Sequence, residues 1–149
     1  MAAHSPRFLA NGNILPSVAV KIDSSASQGF MVIQATGGSD HVVGIAQVGT
    51  YYPQGTLLGA AVESYAAIQY QPINVFGIGE ECLWLVDSGA GITQGDYLKV
   101  AGASGGAKTI AFGAGAGTIV AVALALETAN ASEYARVLVL LQPIYGITS

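Results

Sequence analysis

Two glycine-rich strings are the first candidates for chemistry in this chain. Gly102-Ala103-Ser104-Gly105-Gly106-Ala107-Lys108-Thr109 comes close to the GxxxxGK[ST] loop, which cradles phosphate on backbone N–H groups. Ala107 stands where that loop requires glycine. The residues that follow, IAFGAGAG, cannot form the helix whose N-terminus should face the phosphate. The string therefore reads as a surface hairpin turn. Gly113-Ala114-Gly115-Ala116-Gly117 suggests a dinucleotide loop, but Thr118 to Leu126 has the composition of a strand rather than a helix, so it reads as a flexible connection. Cys82 sits in an apolar run beside Leu83 and Trp84, the setting of a buried, inert thiol. His4 and His41 have no His/Cys/Asp spacing that makes a metal set. Glu80 and Glu81 are adjacent, so in an extended segment they point to opposite faces and cannot act as an acid/base pair. Ser88 follows Val86-Asp87 and lacks a G-x-S-x-G context. The residues predict no enzyme: no catalytic group, no metal and no cofactor.

The elements around these residues are short apolar runs separated by Gly, Ser, Asp and Asn turns. Leu83–Val86, Tyr97–Val100, Thr118–Val122 and Arg136–Leu140 have strand composition, as do residues 17–22, 29–35 and 41–48. Residues 74–79 read as a further strand leading into Cys82. Residues 58–70 are Ala-rich and fit either a short helix or a strand. The pattern predicts an all-β fold, a compact β-sandwich or small barrel. An internal duplication is visible in part. Asp23-Ser24 followed by Gln28-Gly29 matches Asp87-Ser88 followed by Gln94-Gly95, and each copy closes with a Gly-rich turn and an apolar strand. Reuse of turn chemistry in an all-β chain explains the same likeness.

The reading divides the chain into an extended N-terminal arm (1–16), a single all-β domain (17–142) and a C-terminal tail (143–149). Pro6, Asn11-Gly12-Asn13 and Pro16 break regular structure in the arm, while Phe8, Leu9, Ile14 and Leu15 are too apolar for a solvated tail. With Arg7 as a charged anchor, these five residues form a candidate interface with a neighbouring protein or a sister subunit. Trp84, Leu98, Val122 and Leu138, each mid-run, are the expected core.

Composition bounds the function. Over 149 residues, 52% are hydrophobic and only 9% charged, an apolar surplus that a domain of this size cannot bury alone. The surplus predicts an oligomer or a component of an assembly. A net charge of −4 with five Lys and Arg argues against nucleic acid, and no apolar run approaches the length of a spanning helix. The expected setting is a soluble protein made in the cytoplasm, with no membrane partner.

Two stretches carry a family resemblance. Val43-Gly44-Ile45-Ala46-Gln47-Val48-Gly49-Thr50 precedes a Pro-containing loop. Ile92-Thr93-Gln94-Gly95-Asp96-Tyr97-Leu98-Lys99 precedes a Gly/Ala-rich loop and the strand Val120-Ala121-Val122-Ala123-Leu124-Ala125-Leu126-Glu127. Together they resemble tailed-bacteriophage capsid decoration (cement) proteins over residues 17–50 and 82–141. The resemblance implies a structural virion protein that binds the outer surface of the capsid as a homotrimer. It would bridge subunits of the major capsid protein and stabilise the expanded shell. A different reading is a sugar- or receptor-binding β-module of a phage head fibre, for which Tyr51, Tyr52, Tyr65 and Tyr70 could supply aromatic platforms.

Overall fold

Burial that alternates along a strand shows how an apolar run becomes part of a sheet. In the strand Glu81–Leu85, Cys82 and Trp84 turn inward while Glu81 and Leu83 face out. The structure, a computed structural model, describes residues 8–25, 31–37, 40–47, 67, 70, 72–102, 105–110 and 118–145. It is all-β, with no helix among the described residues. Six strands make one sheet: β1 (Phe8–Ala10), β2 (Ala19–Ile22), β3 (Met31–Gln34), β4 (Val42–Ala46), β5 (Pro72–Ile73) and β6 (Val75–Phe76). Their order is β5-β1-β3-β2-β4-β6, and only the β1–β3 pair among them is parallel. Asn74 alone separates β5 from β6, which lie at opposite edges, so the sheet must curl to bring those edges together. Phe8, Ala10, Ile14, Val18, Val20, Val32, Ala46, Ile73 and Val75 share one core cluster.

The remaining strands are β7 (Glu81–Leu85), β8 (Tyr97–Val100), β9 (Ala107–Thr109), β10 (Thr118–Ala125) and β11 (Tyr134–Tyr145), in the order β7-β11-β10-β8-β9. This sheet also curls. Val86, just beyond β7, bridges to Ala107 of β9 at the other edge, and the Asp87 N–H donates to the Ala107 carbonyl at 2.9 Å. The second core lies inside the curl, around Trp84, with Val86, Leu98, Val100, Val122, Val137 and Val139. Small residues make room for the indole, and Ala135 is its direct cross-strand partner. The ladder between β10 and β11 shifts register between Ala121 and Ala123, where Leu141 takes a positive φ of 50°. Such a bulge bends a long strand and helps a sheet to curl.

Hydrogen bonds beside Trp84 weld the two sheets together. The Gly105 carbonyl accepts from Ala19 N–H at 3.0 Å and from the buried Trp84 Nε1–H at 2.9 Å, while the Leu85 N–H donates to the Ser17 carbonyl at 2.8 Å. Ala19, Ala35, Val42 and Ile45 of the six-stranded sheet complete the core around Trp84. Among the described residues no buried side-chain nitrogen or oxygen lacks a hydrogen-bond partner.

The arm and tail are placed differently from the sequence reading. Residues 8–10 form β1, held between β5 and β3, and Ile14 bridges to Ala67. Burial of the apolar anchors against their own sheet draws this segment into the domain, so residues 8–16 are not a separate arm. At the other end β11 runs through Pro143 to Tyr145 and pairs with Thr118–Val120, so the domain does not stop at residue 142. The expected strand 74–79 contracts to β6. The helix-or-strand segment 58–70 lies outside the described residues apart from Ala67 and Tyr70. The duplicated segments share turn chemistry but not wiring. Asp23 and Asp87 each accept the N–H two residues on, from Ser25 at 2.9 Å and Gly89 at 3.0 Å. Yet β2 pairs directly with β3 in the first segment, whereas β7 and β8 are separated by β11 and β10 in the second.

Candidate functional site

The five residues of the expected interface are scattered by the fold. Phe8 and Ile14 are buried within the chain's own core, Leu9 is half-buried and Leu15 is exposed. Arg7 lies outside the described residues. Of the expected core residues, Trp84, Leu98 and Val122 are fully buried. Leu138 is only half-buried, because its neighbours Val137 and Val139 occupy the inward positions of β11 and turn it to the outer face.

The glycine string that resembled a phosphate loop is a structural joint. It connects β8 and β9 as a hairpin, with Ala101 N–H bonded to the Gly106 carbonyl at 2.8 Å. Gly105 and Gly106 are buried, so the hairpin's end packs against the six-stranded sheet instead of lying on the surface. Cys82 is buried, and desolvation, followed by the nearby Glu80 charge, pushes its thiol up to about 12. A thiol so placed holds its proton at neutral pH and is a poor nucleophile. Among the described residues no group of three His, Cys, Asp and Glu side chains could hold a metal ion. Among the described residues no helix is long and apolar enough to cross a membrane.

An open depression of about 650 Å³ lies beside β2 and β4, lined by Lys21, Asp23, Ile33, Asp40, His41 and their neighbours. Its charges are already committed. Lys21 Nζ lies 3.1 Å from Asp40 Oδ2, and Asp40 also accepts the N–H groups of Thr36 at 2.7 Å and Gly37 at 3.0 Å. Partial burial works against the Asp40 carboxylate. The Thr36 N–H, the Lys21 ammonium and the Gly37 N–H outweigh it and hold the carboxyl below its ordinary value. Asp23 is held low by Ser25 and Asn11, which hydrogen-bond to its side chain. The depression thus has a neutralised ion pair, a loop cap and no activated group. Its polar network fixes the turns around β2.

The outer face of the five-stranded sheet has a different character. Cross-strand register places Glu81, Leu138, Leu124 and Tyr97 in one row across β7, β11, β10 and β8. Leu83 and Arg136 stand side by side in the next row, followed by Leu85 and Tyr134. Leu83, Tyr97 and Tyr134 are 44%, 40% and 51% exposed, and Leu124, Leu126, Leu138 and Leu140 are each half-buried. A monomeric protein rarely leaves such a contiguous apolar patch open to water. Sequence reading missed it because both faces of β10 and β11 are aliphatic. The available signal was the excess of large Leu and Tyr at positions alternating with Ala and Val. No family model matches this chain, and a search of curated proteins returns no match.

Proposed function

We propose that the protein is a structural, non-enzymatic virion component. In this reading it is a capsid decoration protein that binds the outer surface of a phage shell as a homotrimer and stabilises the expanded state. The observation that carries this reading is the outer face of the five-stranded sheet, a largely apolar surface on which Leu83, Tyr97 and Tyr134 stand exposed. The resemblance motifs fit the role as scaffold parts. Gly44 to Ala46 lie on β4, and in the Gln94-Gly95-Asp96 turn Gly95 N–H bonds the Ala125 carbonyl while Asp96 accepts from Thr93 N–H and Thr109 Oγ1.

A ligand that binds only the expanded shell stabilises that shell by its binding free energy, and several contacts per trimer add avidity. The sugar-binding alternative has weaker support. The depression beside Lys21 and Asp40 has no Tyr, Trp or Phe among the described residues of its lining; Tyr70 is exposed but does not line it, and Tyr51, Tyr52 and Tyr65 lie outside the described residues. The test is incubation of purified protein with expanded phage capsids stripped of decoration. Saturable binding that raises the capsids' resistance to heat is expected. Binding that never saturates, or none, refutes the reading.

A further inference from the structure

The outer face of the five-stranded sheet is charged against the grain of the molecule. Leu98 and Val100 are buried inward, which puts Lys99 on the outer side of β8 opposite the exposed Lys108 on β9, although Lys99 itself is only 6% exposed. Arg136 projects from β11 on the same face, between the inward Ala135 and Val137. Among the described residues, this sheet's outer face therefore holds Lys99, Lys108 and Arg136 but, of the acidic residues, only Glu81. Three positive charges less one negative make +2, on a chain of net −4. Like charges directly opposite on neighbouring strands destabilise a sheet unless something offsets them. Among the described residues no carboxylate pairs with Lys99, Lys108 or Arg136. The Lys99 stem is covered; that burial, and then Lys108, lower the affinity of its amine for the proton.

One end of the same sheet carries the opposite charge. Asp87 follows β7, Asp96 precedes β8, Glu127 follows β10 and Glu133 precedes β11, and the antiparallel register brings all four to one end. Each turns at least one carboxylate oxygen to its own loop, where Asp96 accepts from Thr93 N–H, Glu127 from Arg136 N–H and Glu133 from Asn130 N–H. The loops are thereby held in shape with their negative charge at the rim.

We propose that the outer face of the five-stranded sheet is a self-association surface that receives the acidic end of the same sheet from a second copy of this chain. A twofold contact would set a +2 face against its like, so the charge pattern disfavours an isologous dimer. A head-to-tail contact joins unlike patches and closes into a ring when the rotation permits. The proposal deepens the capsid-decoration reading by naming the contact between subunits, and it rests on that reading's homotrimer. The intervening Leu83, Leu124, Leu138, Tyr97 and Tyr134 favour a protein occupant over nucleic acid, which three cations would hold only weakly.

Charge reversal with light scattering tests it. At low salt the parent should have a mass that is a multiple of 15.1 kDa. Lys108→Glu with Arg136→Glu should fall to 15.1 kDa, as should Glu127→Lys with Glu133→Lys. All four substitutions in one chain should restore the parental mass, since the patches are again complementary with inverted sign. High salt should weaken assembly in the parent and in the fourfold variant alike. Melting curves monitor folding; if a reversed variant does not fold, Lys108→Gln with Arg136→Gln replaces it and should show the same loss of mass.

A parent that is monomeric at low salt overturns the proposal, as does a neutralised or reversed face that keeps the parental mass. A fourfold variant that stays monomeric overturns the pairing of these two patches. Duplex DNA binding by the parent that is lost in the face-reversed variant would assign the cations to nucleic acid and also overturn it. Capsid binding is scored separately. A monomeric parent that saturates capsids defeats only the self-association, and an oligomeric parent that ignores capsids defeats only the decoration reading.

Discussion

Gly105→Ala should be among the most damaging one-carbon additions in this protein. Gly105 has φ +66°, a left-handed conformation that costs an L-residue roughly 1–2 kcal/mol. The added Cβ would lie 3.0 Å from Gln34 Cγ, 3.1 Å from Val18 Cβ and 3.3 Å from the Ala19 carbonyl oxygen. The Gln34 side chain can swing away, but Val18 is fully buried and the Ala19 backbone is in the sheet, so the joint itself must open. Overpacking of that kind costs about 1–3 kcal/mol. The sum, about 2–5 kcal/mol, corresponds to a fall in Tm of roughly 4–20 °C for a chain of this length. The displacement also pulls on the carbonyl that holds Ala19 N–H and Trp84 Nε1–H. Thermal melts should therefore show the loss in the fluorescence of Trp84, the chain's single tryptophan. Gly102→Ala is the control: nothing lies within 4 Å of its added Cβ and its φ is not in the left-handed range, so it should melt like the parent. If Gly105→Ala melts within about 2 °C of the parent, the weld between the sheets is not where the hydrogen bonds place it.

Leu98→Ala, at a fully buried site, should cost about 2–5 kcal/mol in chemical denaturation, whereas Leu138→Ala should cost about 1 kcal/mol; equal losses would put Leu138 back in the core. Cys82 should resist alkylation at pH 8 in the folded protein and react at once in denaturant, since burial holds its thiol at about 12; rapid labelling of the native state would contradict the burial. The Asp40 carboxyl is held below 3.8 in the folded state, so its contribution to stability is present above that value and is lost as the pH falls through the lower folded value. Asp40→Asn should therefore melt below the parent at neutral pH, and the difference should shrink as the pH falls below 3.8; a constant difference refutes the assignment. Deleting residues 2–15 removes β1 with the buried Phe8 and Ile14, roughly 3–6 kcal/mol of apolar burial, and should lower Tm sharply; an intact melt would show that β1 is dispensable.

The all-β class was legible because the strand signal is local. Residues 97–100 alternate as Tyr-Leu-Lys-Val between Gly95-Asp96 and Gly102, and the strand forms at those positions. β1 and β9 are among the strands that were not legible. β1 is three residues long beside an Asn-Gly-Asn cluster, and its partner β3 is twenty residues away, so nothing local marks it. β9 lies inside the string Gly106-Ala107-Lys108-Thr109, whose composition reads as a turn. It becomes a strand because Val100, Lys99 and Leu98 offer it a ladder. Propensity is a weak guide wherever a partner strand supplies the hydrogen bonds.

The candidate docking face was hidden for a related reason. In β11, Arg136-Val137-Leu138-Val139-Leu140 has large aliphatic side chains on both faces, so hydrophobicity alone cannot say which set turns inward. The curl of the sheet decides it. A tightly curled sheet has little room on its concave side, and the inward positions are taken by Val137, Val139, Ala123, Ala125 and Ala135 around one indole. The bulkier Leu124, Leu138, Tyr97 and Tyr134 are left on the convex side, where the space is unlimited and the solvent unfavourable. The 52% hydrophobic content and the half-exposed leucines are thus one fact seen at two levels. A core built from small residues displaces its large ones outward, and a contiguous outward patch of leucines favours cover by another protein surface. Replacing Leu124 and Leu138 together with Thr should then leave the chain folded, with its Tm lowered by only a few degrees, while abolishing the assembled mass. If that variant keeps the parental mass, the convex face is not where this chain meets its partner.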